Sequence, residues 1–239
     1  MINKLKHLPK LFLGYGIRNP DWNGEYKWYK KFIKPNMTII EVGAYIGEHI
    51  LQYCRHKNLT IHAFEPTPST FKVLNQNLQP YQNQHKLYLN NIGLSNNIHK
   101  AEMYVYNEQL CGANSLYLYP SQIQKNPNYQ TIQVQLDTLD NYMTKYGIEK
   151  IDFMKIDAEG HELAILQGCK DALQNGKISA IQFESSNIIT KIIASEIFDL
   201  LTHYHFKFYR IAYFGLVPLQ KNTLLDYQQL GVNYVAFKG

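Results

Sequence analysis

Apolar residues fall in short runs separated by polar turns, and their spacing predicts alternating strands and helices. Residues 37–42 form one such run, which Gly43-Ala44-Tyr45-Ile46-Gly47 turns into a helix reaching about residue 57. A second strand, 59–64, ends in Glu65-Pro66, and 69–78 reads as a helix stopped before Pro80. Strand character returns near 86–91, 101–106 and 131–136, after which Asp137 can cap a helix to about residue 146. A strand over 150–156, a helix over 159–174, a strand over 178–183 ending in Glu184 and an isoleucine-rich helix over 188–202 follow. Residues 206–212 and 233–238 would close the sheet as an antiparallel pair. This β-α-β-α order predicts an α/β protein with a mostly parallel, doubly wound sheet.

Residues 1–36 read as a helical, aromatic-rich lead-in closed by Pro35-Asn36, and 37–239 as the main domain. Between about 107 and 130 the chain is rich in Asn, Gln, Tyr, Ser and Pro without helical periodicity, which predicts a loop or lid inserted in that domain. With 239 residues, one α/β core is enough. No apolar run approaches the roughly 20 residues of a membrane-spanning helix. The apolar residues near the start are interrupted by Pro9 and Lys10, so no signal peptide is read.

Cys54, Cys111 and Cys169 are odd in number and far apart, which suits neither a disulfide framework nor a cysteine zinc site; a reducing cytoplasm is the expected location. The formal charge is +5, yet Lys27, Lys30, Lys31 and Lys34 are the only local cluster. Their spacing marks an exposed helix face rather than a nucleic-acid patch. The 19 tyrosines suit cores with polar edges and also sugar- or ring-binding clefts.

The strand over 150–156 carries unexpected charge. Side chains alternate along a strand, so Ile151, Phe153, Lys155 and Asp157 share a face, and an interior charge is costly unless paired or used. Ligands of open α/β sheets sit beyond the carboxyl ends of the strands, so this stretch reads as an active-site floor. The turn opened by Glu41 places Gly43 and Gly47 between strand and helix, but it has neither the full dinucleotide fingerprint nor a phosphate loop. Glu65 lies 24 residues beyond Glu41, where nucleotide-binding units hold ribose hydroxyls. A ribose without a phosphate tail points to S-adenosylmethionine.

The strings Glu41-Val-Gly-Ala-Tyr-Ile-Gly47, Phe64-Glu65-Pro66, Gly93-Leu94-Ser95, Asn114-Ser115-Leu116 and Leu136-Asp137-Thr138-Leu139 come in a telling order. With Lys155-Ile-Asp-Ala-Glu-Gly-His-Glu162 and Phe183-Glu184, the chain resembles the FkbM-type methyltransferases from about residue 25 to 220. It departs from the usual pattern at Glu41, where Asp is commoner, and at Tyr45, where Asn is frequent. The resemblance implies a class I methyltransferase fold (a Rossmann-like, seven-stranded sheet with a terminal antiparallel pair), S-adenosylmethionine as donor and a hydroxyl oxygen as acceptor. It further implies that Gly43, Ala44, Tyr45 and Gly47 face the methionyl part and ribose, with Glu41 binding polar donors nearby. Glu65 would take the ribose hydroxyls, Pro66 would flank adenine, Asn91 and Ile92 would meet its edge, and Asn114 and Ser115 would reach over the cofactor.

On the acceptor side Asp157 is the leading base, because a hydroxyl becomes a competent nucleophile as its proton is taken. The alternative for Asp157 is a helix N-cap. Lys155 would fix Asp157 or polarise an acceptor oxygen. Glu159 and Glu162 suit the first turn of a helix as well as a site, and His161 could relay a proton or be a satisfied surface residue. Asp157 and Glu184 could together hold Mg²⁺ or Ca²⁺, but Ser185 and Ser186 stand where metal-dependent catechol-type enzymes carry Asn, so no metal is expected. Glu184 would bind acceptor hydroxyls or orient Lys155. A sugar, glycan or related metabolite is the expected acceptor. Methylation of a small amine or carboxylate, or a nucleoside-binding module without activity, are the alternatives.

Overall fold

The computed structural model describes residues 20–106, 111–118, 123–124, 127–185, 191–219 and 232–239. The expected lead-in before residue 20 and much of the expected lid therefore lie outside the described residues. The lead-in continues as two helices, α1 (Pro20–Asn23) and α2 (Glu25–Phe32). The first βαβ unit comprises β1 (Thr38–Val42), α3 (Glu48–Tyr53) and β2 (Thr60–Phe64); α4 (Pro68–Leu78) and β3 (Lys86–Asn90) follow. Then come β4 (Gly93–Leu94), β5 (His99–Tyr106), β6 (Tyr129–Asp137) and α5 (Leu139–Tyr146). The second half holds β7 (Phe153–Ile156), α6 (Glu162–Gln167), α7 (Lys170–Gln174), β8 (Ala180–Ser185) and α8 (Lys191–His203). It closes with β9 (Phe206–Ala212), β10 (Gly215–Pro218) and β11 (Val232–Lys238).

The main sheet has the order β10-β9-β11-β8-β7-β1-β2-β3. Strands β3, β2, β1, β7 and β8 pair in parallel, whereas β11 runs against both of its neighbours. The mostly parallel, doubly wound sheet and the closing antiparallel pair are thus as expected. The sheet gains an eighth strand, because β10 folds back on β9. The strands near 101–106 and 131–136 join a separate three-stranded sheet, β4-β6-β5. Its β5–β6 ladder leaves residues 107–128 as the connection between two antiparallel strands.

Alternation along the strands divides the core into two layers. Ile40, Val42, Met154, Ile156, Ile181 and Phe183 pack with residues of α5 to α8 on one face. Ile39, Ile61, Phe153 and Ala180 pack with Trp28, Tyr29, Ile50 and Leu74 on the other. Glu41 shares the parity of Ile39, and Lys155 that of Phe153, so both lie on the α2–α3 side of the sheet.

Three helix boundaries differ from expectation. The helix after β1 spans only Glu48–Tyr53. The single helix expected over 159–174 is two, with Gly168 ending the first and Asp140 accepting the Asp171 and Ala172 amides that start the second. Thr138, rather than Asp137, caps α5, accepting from the Asn141 amide at 3.1 Å. The Asp137 carboxylate instead receives the Thr138 amide and the Asn141 side chain.

Candidate active site

A cleft opens where the strand order reverses, between the carboxyl ends of β1 and β7. Val42, Gly43 and Tyr45 line it from the first turn, Glu65 and Pro66 from the end of β2, and Asp157, Ala158 and Glu159 from the end of β7. Phe64, Leu94, Met103, Leu136 and Ile165 give it an apolar wall.

Backbone contacts fix the first turn. The Gly43 and Ala44 amides both donate to the Phe64 carbonyl at 3.0 Å. Gly43 has φ +77°, and a β-carbon there would overlap the Asp157 carbonyl, so the turns after β1 and β7 touch at this residue. Gly47 precedes α3 and packs on Leu74, away from the cleft lining. Each oxygen of the buried Glu65 carboxylate accepts one amide, Tyr45 N at 3.0 Å and Thr67 N at 2.9 Å. Burial raises its pKa, and these amides counter part of the rise. Asn91 turns back to the Glu65 and Pro66 carbonyls, and Ile92 packs on the core, so both support the loop beneath the cleft.

Asn114 lines the cleft and is held by the Tyr106 amide and Thr67 Oγ1. Ser115 is buried and donates to the Glu159 carbonyl at 2.9 Å, tying the small sheet to the loop after β7. That loop turns through left-handed backbone at Glu159 and Gly160. Glu162, 2% exposed, braces it by accepting the Ala158 and Gly160 amides, and burial pushes its carboxyl up to about 7. His161 spans Ser95 Oγ at 2.9 Å and Tyr117 Oη at 3.1 Å, and burial lowers it to about 4. It is therefore a neutral imidazole joining three segments of the cleft.

Asp157 is the meeting point of two polar groups. Lys155 Nζ, fully enclosed, lies 2.8 Å from Asp157 Oδ2 and 4.0 Å from Glu41 Oε1. Burial opposes the ammonium, but the charges of Asp157, Glu41 and Glu25 outweigh it and raise its pKa. Burial likewise opposes the Asp157 carboxylate, yet Lys155 holds it below the usual carboxylate range. Glu184 hydrogen-bonds Asp157, and burial with the charges of Asp157 and Glu159 pushes Glu184 up to about 9. Of the two carboxyls, Glu184 is therefore the one that holds a proton more readily. Glu41 accepts from Tyr53 at 2.9 Å, and its other oxygen is 3.6 Å from His49 Nδ1. Glu41, Lys155 and Glu184 do not line this cleft; Lys155 and Glu184 contact Asp157, and Glu41 lies against Lys155.

Sequence reasoning passed over the rest of this network. Glu25 on α2 accepts from Tyr29 at 2.6 Å and from Gln182 of β8, and lies 3.7 Å from His49 Nε2. The signal was an acid on the apolar stripe of α2, beside Trp28 and Tyr29. Tyr117 carried no comparable signal.

Six strands running the same way, with antiparallel β11 inserted between β8 and β9, make the doubly wound sheet of a class I methyltransferase. Gly43 and Glu65, from the turns after β1 and β2, both line this cleft. The chain belongs to the FkbM methyltransferase family: residues 41–208 match the methyltransferase FkbM domain. Methyltransferase sdnD of Sordaria araneosa is 28% identical over 157 residues, 56% of this chain, and the match spans 60% of that protein's length. Among solved structures, a SAM-dependent O-methyltransferase from Thermotoga maritima is 12% identical, with a TM-score of 0.45 over 88% of this chain and 62% of that one. An rRNA methylase from Streptococcus thermophilus is 10% identical, with a TM-score of 0.48 over 93% and 98% of the two chains.

Proposed function

We propose that this chain transfers a methyl group from S-adenosylmethionine to a hydroxyl of a sugar, glycan or related polyhydroxylated acceptor, with Asp157 as the general base. When bound, S-adenosylmethionine supplies an electrophilic sulfonium methyl. The cleft has the makings of its site. Glu65 keeps lone pairs beyond those used by Tyr45 and Thr67, so it can accept ribose hydroxyls. Phe64, Leu94 and Ile165 offer apolar surface for a flat base, with Pro66 beside them.

The observation that carries the reading is the state of Asp157. It lines the cleft while the buried Lys155 ammonium, 2.8 Å from Oδ2, holds its carboxyl below the usual carboxylate range and Glu184 adjoins it. Asp157 accepts the proton of an acceptor hydroxyl as the oxygen forms its new bond. Glu159, Asn114 and His161 line the cleft with polar groups suited to a polyol, and Tyr117 contacts His161.

Labelled S-adenosylmethionine offered with a panel of sugars and nucleotide sugars tests the proposal. Asp157→Asn should bind S-adenosylhomocysteine as the wild type does and transfer methyl groups roughly 10²–10⁴-fold more slowly. Glu65→Ala should weaken that binding by about 10- to 100-fold, since a charge-assisted hydrogen bond is at stake. Undiminished turnover in Asp157→Asn would remove the base. Binding of S-adenosylhomocysteine with no transfer to any acceptor would favour a module without activity.

A further inference from the structure

We propose that the exposed lysines on and just after α2, together with the phenyl ring of Phe214, dock this protein on an anionic lipid bilayer. The inner face of α2 buries Glu25, Trp28 and Tyr29. Lys27, Lys30 and Lys31 are exposed at the i, i+3, i+4 spacing of one stripe of α2, and Lys34 is exposed just past its end. Among the described residues none of Lys30, Lys31 and Lys34 forms an ion pair.

The charge of the whole chain is concentrated there. Residues 1–34 contain eight basic and two acidic residues, a formal +6, whereas the remaining 205 residues contain 16 basic and 17 acidic. The net positive charge therefore belongs to this one terminal stretch, and the rest of the chain is close to neutral. A charge so segregated attracts an extended anionic surface.

Phe214 supplies the apolar part. It is 75% exposed in the turn between β9 and β10. Lys27 Nζ lies 3.2 Å from the centre of the neighbouring Tyr213 ring, so the turn adjoins the lysine stripe. Strand β9 runs parallel to β8, because β11 opposes both, so this turn emerges at the same end as Glu184 and Asp157. Cations beside an exposed phenyl ring match the boundary between lipid headgroups and acyl chains. The chain before α2 has the same character: residues 1–20 hold Leu5, Leu8, Leu11, Phe12 and Leu13 among Lys4, Lys6 and Lys10, without one acid. Phosphate contacts to nucleic acid would use the lysines and have no use for these aliphatic residues.

Flotation of the full chain with vesicles tests this directly. Binding is expected to vesicles of phosphatidylcholine with phosphatidylserine, not to phosphatidylcholine alone, and to fall at high salt. Joint Lys30→Gln, Lys31→Gln and Lys34→Gln replacement should lower the partition at least ~10-fold while leaving S-adenosylhomocysteine affinity unchanged. Phe214→Trp gives a readout that does not depend on losing function: its added fluorescence should shift to the blue on mixing with phosphatidylserine vesicles. An unshifted spectrum would overturn the proposal. So would equal partition of the triple variant and the wild type, or binding to a homopolymeric RNA in place of the vesicles.

Discussion

The ammonium of Lys155 lies 2.8 Å from Asp157 Oδ2, two residues along the chain, and opposite Glu41 in the register of β1 and β7. One buried cation thus serves the strand that precedes the glycine turn and the carboxylate that faces the cleft. Lys155→Met would leave Glu41 buried beside an uncompensated Asp157, a loss on the order of 3–5 kcal/mol in urea unfolding. In the variant that folds, the acid limb of the pH–rate profile should move to higher pH, because Lys155 is what holds Asp157 low. Unchanged stability together with an unmoved acid limb would deny Lys155 both roles.

Gly43 is required by the turn after β7 as well as by the cleft. A β-carbon at residue 43 meets the Asp157 carbonyl, and the backbone there is left-handed. Gly43→Ala and Gly43→Val should therefore both lower the thermal midpoint without any ligand, by strain of roughly 1–3 kcal/mol. A stable Gly43→Ala protein would show that the two turns do not touch.

Glu162 gives a pH signature of definite sign. Its folded-state carboxyl is raised to about 7, so the folded protein binds a proton that the unfolded chain has released. Its contribution to stability is complete below the ordinary glutamate range and is lost as pH rises from there to about 7. Glu162→Gln should remove this component. The difference between wild-type and variant stability, followed by urea unfolding, should change across that window and flatten above it. A difference independent of pH would show that Glu162 keeps an ordinary pKa.

Methyl transfer should survive exhaustive chelation within roughly twofold, well short of the several kcal/mol expected of a Lewis acid. Asp157 is engaged by the Lys155 ammonium at 2.8 Å, so a cation bridging Asp157 and Glu184 would have to compete with that ion pair. Among the described residues no group of three His, Cys, Asp or Glu side chains converges on a metal position. Loss of activity on chelation with recovery on adding Mg²⁺ would make Asp157 and Glu184 ligands.

The sequence by itself determined the order of strands and helices, the glycine turn after β1, the acid after β2 and the charged end of β7. These are legible because periodicity, turn chemistry and a charge in an apolar run are local properties of neighbouring residues. Of the residues read as cofactor-binding, Gly43, Tyr45, Glu65, Pro66 and Asn114 line one cleft, but the individual placements were not legible. Asn91, Ile92 and Ser115 support loops, Gly47 packs on Leu74, and Glu41 lies against Lys155. Only the tertiary structure decided that β5 and β6 leave the main sheet, that Asp140 starts α7 from another helix, and that Glu25 meets Gln182 across 157 positions. Each of these depends on which partner a backbone amide or buried carboxylate finds once the core has closed. A buried polar group must find some partner, and spacing along the chain does not say which of the distant candidates folding will bring within reach.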